Sequence, residues 1–274
     1  MSSATLLPHY FASGLDYPLA YTQAGSGTPL VLIHGSLCDY RYWRWQIPAL
    51  GAHCHVLAPS LRGYWPDAFT AENAAFNVEQ HARDLIAFIR LSSPGQPVHV
   101  LGHSRGAHVA LELACNAPDL VRSLTLADPG FRIDEQGSAP TFQHEVVEQL
   151  RQGNVEAALM QFIDSVNGAG TWRHMVSWFK TMVRDNAGTL LSQIHEAGRC
   201  FDVTRARQIN CPVLLLGGEQ SPPRYGHVLD ALQPHFANAQ RSSIALASHG
   251  MNLANPKAFN QRVLQFLQDV NATC

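Results

Sequence analysis

The chain carries little charge and never concentrates it. Over 274 residues, 19 Lys and Arg stand against 21 Asp and Glu, charged residues are 15% of the total, and the formal charge is −2. No basic run or stripe appears, so the electrostatic footprint of a nucleic-acid binder is missing. Long apolar runs are missing too; none approaches the roughly 20 residues that a membrane-spanning helix needs. The six cysteines (Cys38, Cys54, Cys115, Cys200, Cys211 and Cys274) are scattered, without the close pairs of a zinc or redox site. They read as reduced, buried thiols. The opening "MSSATLLPHYFASGLDYPLAY" lacks a basic segment followed by a long apolar run, so no secretory leader is read and a cytoplasmic location is expected. Asn271-Ala-Thr is then a chance glycosylation sequon. Internal repeats and low-complexity tracts are absent.

What remains is ample material for a core: 46% of residues are hydrophobic, which excludes a disordered chain. "PLVLIHG" (29–35) and "CHVLAPS" (54–60) are short apolar runs rich in branched residues, each reading as a buried strand. Further strands are expected at 97–102, 121–127, 212–217 and 241–246. Helices are expected at 77–92, with Asn77 as N-cap, at 105–117 and at 256–270. Continuous apolar strands alternating with helices point to a mostly parallel α/β sheet covered on both faces. Between Phe131 and Arg207 the alternation stops. "TFQHEVVEQLRQG", "VEAALMQFIDSV", "WRHMVSWFKTMVRDN" and "TLLSQIHEAGR" carry helical periodicity between Gly and Asn breaks. Residues 131–207 are expected to form a helical insertion in a core built from 1–130 and 208–274.

"VHVLGHSRGAHVAL" (98–111) sets Ser104 between a strand and a helix, with Gly102 and Gly106 on either side. A tight turn there lifts the hydroxyl clear of the sheet, and glycines let neighbouring backbone approach where a Cβ would clash. The hydroxyl also lies at a helix N-terminus, whose free N–H groups favour developing negative charge. An ordinary N-cap serine is the plainer alternative.

With His34-Gly35 after an early strand, "LAPSLRGYWPD" after the next, the serine turn, and "ALASHGMNLANP" near the end, the chain resembles the α/β-hydrolase superfamily along nearly its whole length. The resemblance implies a cofactor-free serine hydrolase with a helical cap. It implies an oxyanion hole made by the backbone N–H groups of Ser36 and Arg105, and His249 as general base. His34 and His103 flank active-site turns and read as orienting residues.

The third member of such a triad is in question. In "CPVLLLGGEQSPP" (211–223), Ser221 occupies the position where the family usually keeps an aspartate. Serine is uncharged near neutral pH, and losing the charge in a triad can cost about 10⁴ in rate. "LTLADPG" (124–130) offers a substitute: Asp128 ends the strand expected beside the one leading to Ser104, and adjacent strands lie about 4.8 Å apart. Asp128 could instead merely shape the turn before Pro129. Glu219 is the second choice of acid, and Asp230 lies too far along.

The substrate expectations are coarser. Tyr42, Trp43, His103, Trp172 and Trp178, with Phe162, Met175, Phe179 and Met182 of the insertion, suggest a pocket for an apolar or aromatic small molecule, although most such residues on helices are core. Arg105, beside the nucleophile, could meet an acidic substrate. Carboxylic ester or lactone hydrolysis is the simplest reaction. Carbon–carbon bond hydrolysis or another acyl transfer fits the same residues, and Ser221 keeps a non-hydrolytic receptor or lyase in view.

Overall fold

In the computed structural model, residues 9–67, 76–133 and 141–272 are described. The first eight residues of the opening segment, Thr273 of the sequon and Cys274 lie outside them. The sheet has eight strands: β1 (Tyr10–Ala12), β2 (Leu19–Ala24), β3 (Pro29–Ile33), β4 (His55–Pro59), β5 (Val98–His103), β6 (Val121–Ala127), β7 (Val213–Gly218) and β8 (Ala239–Ile244), in the order β1-β2-β4-β3-β5-β6-β7-β8. β2 runs antiparallel to β1 and β4; every pairing from β4 to β8 is parallel. The six strands expected from apolar runs are present within one or two residues. β1 and β2 had no such signal, because β1 is a three-residue, largely exposed edge strand and β2 mixes Thr22 and Gln23 into its run.

Strand periodicity divides the core. Leu30 and Leu32 of β3, with Leu214 and Leu216 of β7, enter one hydrophobic cluster. Their neighbours Val31, Ile33, Val213 and Leu215 enter the cluster on the opposite face. That second face is covered by α2 (Val78–Ser92), α3 (Arg105–Asn116) and α9 (Pro223–Leu232). The Asn77 side chain caps α2, accepting from the Gln80 N–H at 2.8 Å, a bond worth about 1 kcal/mol. The first face is covered by α1 (Gln46–Gly51) and α11 (Pro256–Ala272), and its hydrophobic cluster continues into the segment joining β6 to β7.

That joining segment comprises α4 (Phe142–Arg151), α5 (Val155–Asn167), α6 (Thr171–His174), α7 (Ser177–Asp185) and α8 (Leu190–Gln193), with short 3-10 turns before and after α8. The helix expected over 172–186 is two helices. Met175 and Val176 adopt extended backbone, with ψ of 138° and 153°, and split it. Residues 189–199 yield only α8 and a 3-10 turn, which end before Gly198 at φ +87°. Phe162, Ile163, Phe179 and Met182 of this segment pack into the same cluster as Leu214 and Leu216, each buried side chain contributing roughly 1.5–3 kcal/mol. A short helix α10 (Met251–Ala254) precedes α11.

Candidate active site

β5 and β6 pair in register up to His103 opposite Ala127, so the next residues, Ser104 and Asp128, emerge together at the same sheet edge. The Ser104 N–H is bonded to the Ala127 carbonyl at 2.9 Å, and the Asp128 N–H to the Leu216 carbonyl at 2.9 Å. Both residues have left-handed backbone, φ +56° at Ser104 and +41° at Asp128. Such strain costs on the order of 1–3 kcal/mol per residue and persists only where surrounding structure enforces it. At Ser104 the flanking glycines permit the close backbone packing of the turn. A Cβ on Gly102 would lie 2.3 Å from the Gly106 carbonyl oxygen, and one on Gly106 would lie 2.3 Å from those of Ile33 and His34.

Three polar groups meet above this edge. The Ser104 hydroxyl lies 3.0 Å from His249 Nε2, and His249 Nδ1 lies 3.3 Å from Asp128 Oδ2. Asp128 can only accept, so Nδ1 carries the ring proton and Nε2 is left to accept the hydroxyl hydrogen. Burial pushes the His249 imidazole down to about 3, with the positive field of Arg224 acting the same way, so the ring rests neutral. Burial likewise raises the Asp128 carboxyl to about 6, opposed by hydrogen bonds from the Ser221 hydroxyl and the Gly218 N–H.

Ser221 therefore has a place. From the end of β7 its hydroxyl donates to Asp128 Oδ2 at 2.5 Å, the same oxygen that faces His249. Glu219, the second choice of acid, is exposed and accepts from the Leu246 N–H at 2.9 Å; His249 has its carboxylate from Asp128 instead. Tyr225 of α9 stacks on the His249 ring at 4.0 Å between centroids and 9° between planes. Sequence spacing offered no sign of that contact, because residues 225 and 249 meet only through the β7–α9 connection.

Ser36 follows His34-Gly35 and borders the same cavities as Ser104, and its hydroxyl donates to Gln193 Oε1 of α8 at 2.6 Å. Gln193 in turn donates to the Tyr64 hydroxyl at 2.7 Å. Among the described residues no partner is found for the backbone N–H of Ser36 or of Arg105, the groups expected to form the oxyanion hole. The Arg105 side chain is committed elsewhere: it is buried, gripped by Glu196 through two bonds of 2.6 and 2.8 Å, and 3.0 Å from His81 Nδ1. The expectation that it meets an acidic substrate is therefore corrected.

Two cavities open on Ser104 and Ser36. The smaller, about 300 Å³, is walled by Tyr42, His103, Phe162, Met175 and Phe179. The larger, about 980 Å³, runs past Arg105, Phe131, Glu196 and Arg224. The expected tryptophans are not in either wall. Trp43 is fully buried near Phe259, Trp172 is buried beneath Lys180 and Arg184, and Trp178 holds the Arg44 guanidinium 4.5 Å from its ring. Among the described residues no three His, Cys, Asp or Glu side chains converge to hold a metal ion. Among the described residues no helix is long and apolar enough to cross a membrane.

The model of the alpha/beta hydrolase family matches residues 30–262, which span β3 to α11 and every group just described. The chain belongs to the α/β hydrolase family. Hydrolase activity is what that membership supports. Among relatives of this α/β hydrolase, the (E)-2-((N-methylformamido)methylene)succinate hydrolase of Acinetobacter baylyi is 23% identical over 90% of this chain and 93% of its own. A soluble epoxide hydrolase of Corynebacterium is 35% identical over 47% of this chain and 44% of its own. A thermophilic esterase from Thermogutta terrifontis superposes with a TM-score of 0.78 at 22% identity, covering 96% of this chain and 99% of that one, a likeness of fold.

Proposed function

We propose that the protein is a cofactor-free serine hydrolase of carboxylic esters or lactones, working through an acyl-enzyme. The observation that carries this reading is the unbroken line from the Ser104 hydroxyl through His249 to Asp128, at 3.0 and 3.3 Å. In the proposed cycle, His249 Nε2 takes the Ser104 proton as the oxygen attacks the acyl carbon. The N–H groups of Ser36 and Arg105 stabilise the resulting oxyanion, and Asp128 opposes the charge of the imidazolium. His249 then returns the proton to the leaving oxygen. Water, deprotonated by the same ring, releases the acid and regenerates Ser104.

Residues 131–207 are the proposed cap: α4 to α8 lie over the serine edge and supply Phe162, Met175 and Phe179 to the smaller cavity. That wall suits a small apolar or aromatic group on a small-molecule substrate. A cytoplasmic location and an absence of cofactor complete the reading. The relative named an epoxide hydrolase suggests a second chemistry, but epoxide opening in this fold relies on a carboxylate nucleophile, as the sequence resemblance implies, and position 104 is serine. Carbon–carbon bond hydrolysis uses the same three groups and belongs in the same substrate panel.

The test is labelling with a fluorophosphonate, followed by turnover of p-nitrophenyl esters, lactones and a β-diketone. Labelling of the parent and none of Ser104→Ala is expected, with ester or lactone turnover dependent on Ser104. Absence of labelling in the parent would sink the nucleophile assignment and leave a binding or lyase function.

A further inference from the structure

The larger cavity is the charged one. Arg105, Arg199, Arg205 and Arg224 all border it, and three of them are neutralised in place. Glu196 grips Arg105, Glu112 holds Arg205 through bonds of 2.5 and 2.8 Å, and Glu79 faces Arg199 at 3.6 Å. Arg132 also borders the cavity and has contacts of its own. Of the carboxylates there, Asp202 is bonded to Thr204 at the start of a 3-10 turn.

Arg224 differs from these. Its Nη2 donates to the Ser165 carbonyl at 2.5 Å and lies 3.3 Å from the Tyr225 hydroxyl. No carboxylate lies within salt-bridge distance of it among the described residues. It stands in the first turn of α9, where no acidic residue accompanies it and the helix dipole adds to its positive charge. Its guanidinium carbon lies 4.9 Å from the centre of the Tyr225 ring, which is stacked on His249. Arg224 is an exposed residue on the border of the cavity, tethered through Nη2, and its other guanidinium donors match the fork geometry that a carboxylate accepts.

We infer that the larger cavity takes a substrate bearing a carboxylate and that Arg224 pairs with it. This inference rests on the serine-hydrolase reading and names the substrate class of that site. It has a consequence for the base: burial holds His249 weakly basic, the field of Arg224 adds to that effect, and a bound carboxylate cancels part of the added field. The acidic substrate thereby strengthens the group that must take the Ser104 proton, and a neutral ester does not.

Two matched pairs of esters test this, one for each side of the scissile bond: p-nitrophenyl hemiglutarate against its methyl ester, and 4-acetoxybenzoate against methyl 4-acetoxybenzoate. In the parent, the acid member of at least one pair should be favoured in kcat/KM by roughly five-fold or more, as charge-assisted pairing predicts. The preference should shrink at high salt, vanish in Arg224→Gln and invert in Arg224→Glu. An acid-to-neutral ratio that is the same in the parent and Arg224→Gln overturns the inference and leaves the serine-hydrolase reading standing. If the parent cleaves neither pair, fluorophosphonate labelling decides whether the serine-hydrolase reading has failed, and binding decides the anion site separately. A thermal shift with 4-hydroxybenzoate in the parent, lost in Arg224→Gln, supports the site; no shift, or an equal one in both proteins, overturns it.

Discussion

The ends of β6 and β7 lie side by side, and each directs one polar side chain toward the space beneath His249. From β6 comes Asp128, on left-handed backbone and almost fully buried; from β7 comes Ser221, partly exposed. The two side chains touch, and only one of them can carry charge. A family acid sited after β7 and an acid sited after β6 reach the same ring, because neighbouring strands are only about 4.8 Å apart. In the proposed triad the carboxylate belongs to a point in space rather than to a strand. The vacated position then supplies a hydroxyl that steadies the relocated charge.

Moving the charge back is the sharpest way to break this comparison. Asp128→Asn combined with Ser221→Asp should recover about ten-fold or more of the turnover lost in Asp128→Asn alone, measured as kcat on p-nitrophenyl acetate. No recovery would mean that the two positions do not share one site. The next effect concerns stability. The folded value of Asp128, about 6, lies above its ordinary 3.8, so the folded protein binds this proton more readily than the unfolded chain. The stability linked to this group is fully present below about pH 4 and is lost as pH rises through about 6. Asp128→Asn should accordingly unfold less readily than the parent at pH 8, by about 2–3 kcal/mol, with the gap closing toward pH 4 in urea titrations. Activity runs the other way: kcat/KM should fall as pH drops through about 6 and Asp128 takes up its proton.

Smaller effects separate the two flanks of the ring. Tyr225→Ala removes the stacked face of His249 and should lower kcat about ten-fold, whereas Tyr225→Phe keeps the stack and should stay within about two-fold. Ser221→Ala should cost only a few-fold in kcat. It should also raise the acid limb of the pH profile above about 6, because the hydroxyl that favours the ionised carboxylate is gone.

The parts of the site readable from the chain were those set by local geometry. Ser104 and its glycines sit in a strand–turn–helix whose signals lie within fourteen residues, "VHVLGHSRGAHVAL". Asp128 was reachable because parallel strands in register bring their ends together. Tyr225 on His249, Gln193 on Ser36 and Glu196 on Arg105 join residues far apart in sequence, and periodicity carries no information about such pairs. Trp43, Trp172 and Trp178 were misplaced for a related reason. An aromatic at helical spacing looks the same whether it faces core, cation or cavity. The break at Met175 and Val176 left no proline or glycine to mark it.

The most direct measurement is kcat for Asp128→Asn and Ser221→Ala side by side on one activated ester, with circular dichroism to show that both are folded. Asp128→Asn should lose on the order of 10³–10⁴ in turnover while Ser221→Ala stays within about ten-fold of the parent. Parent-like turnover by folded Asp128→Asn, or a greater loss at 221 than at 128, would contradict the assignment of the displaced carboxylate.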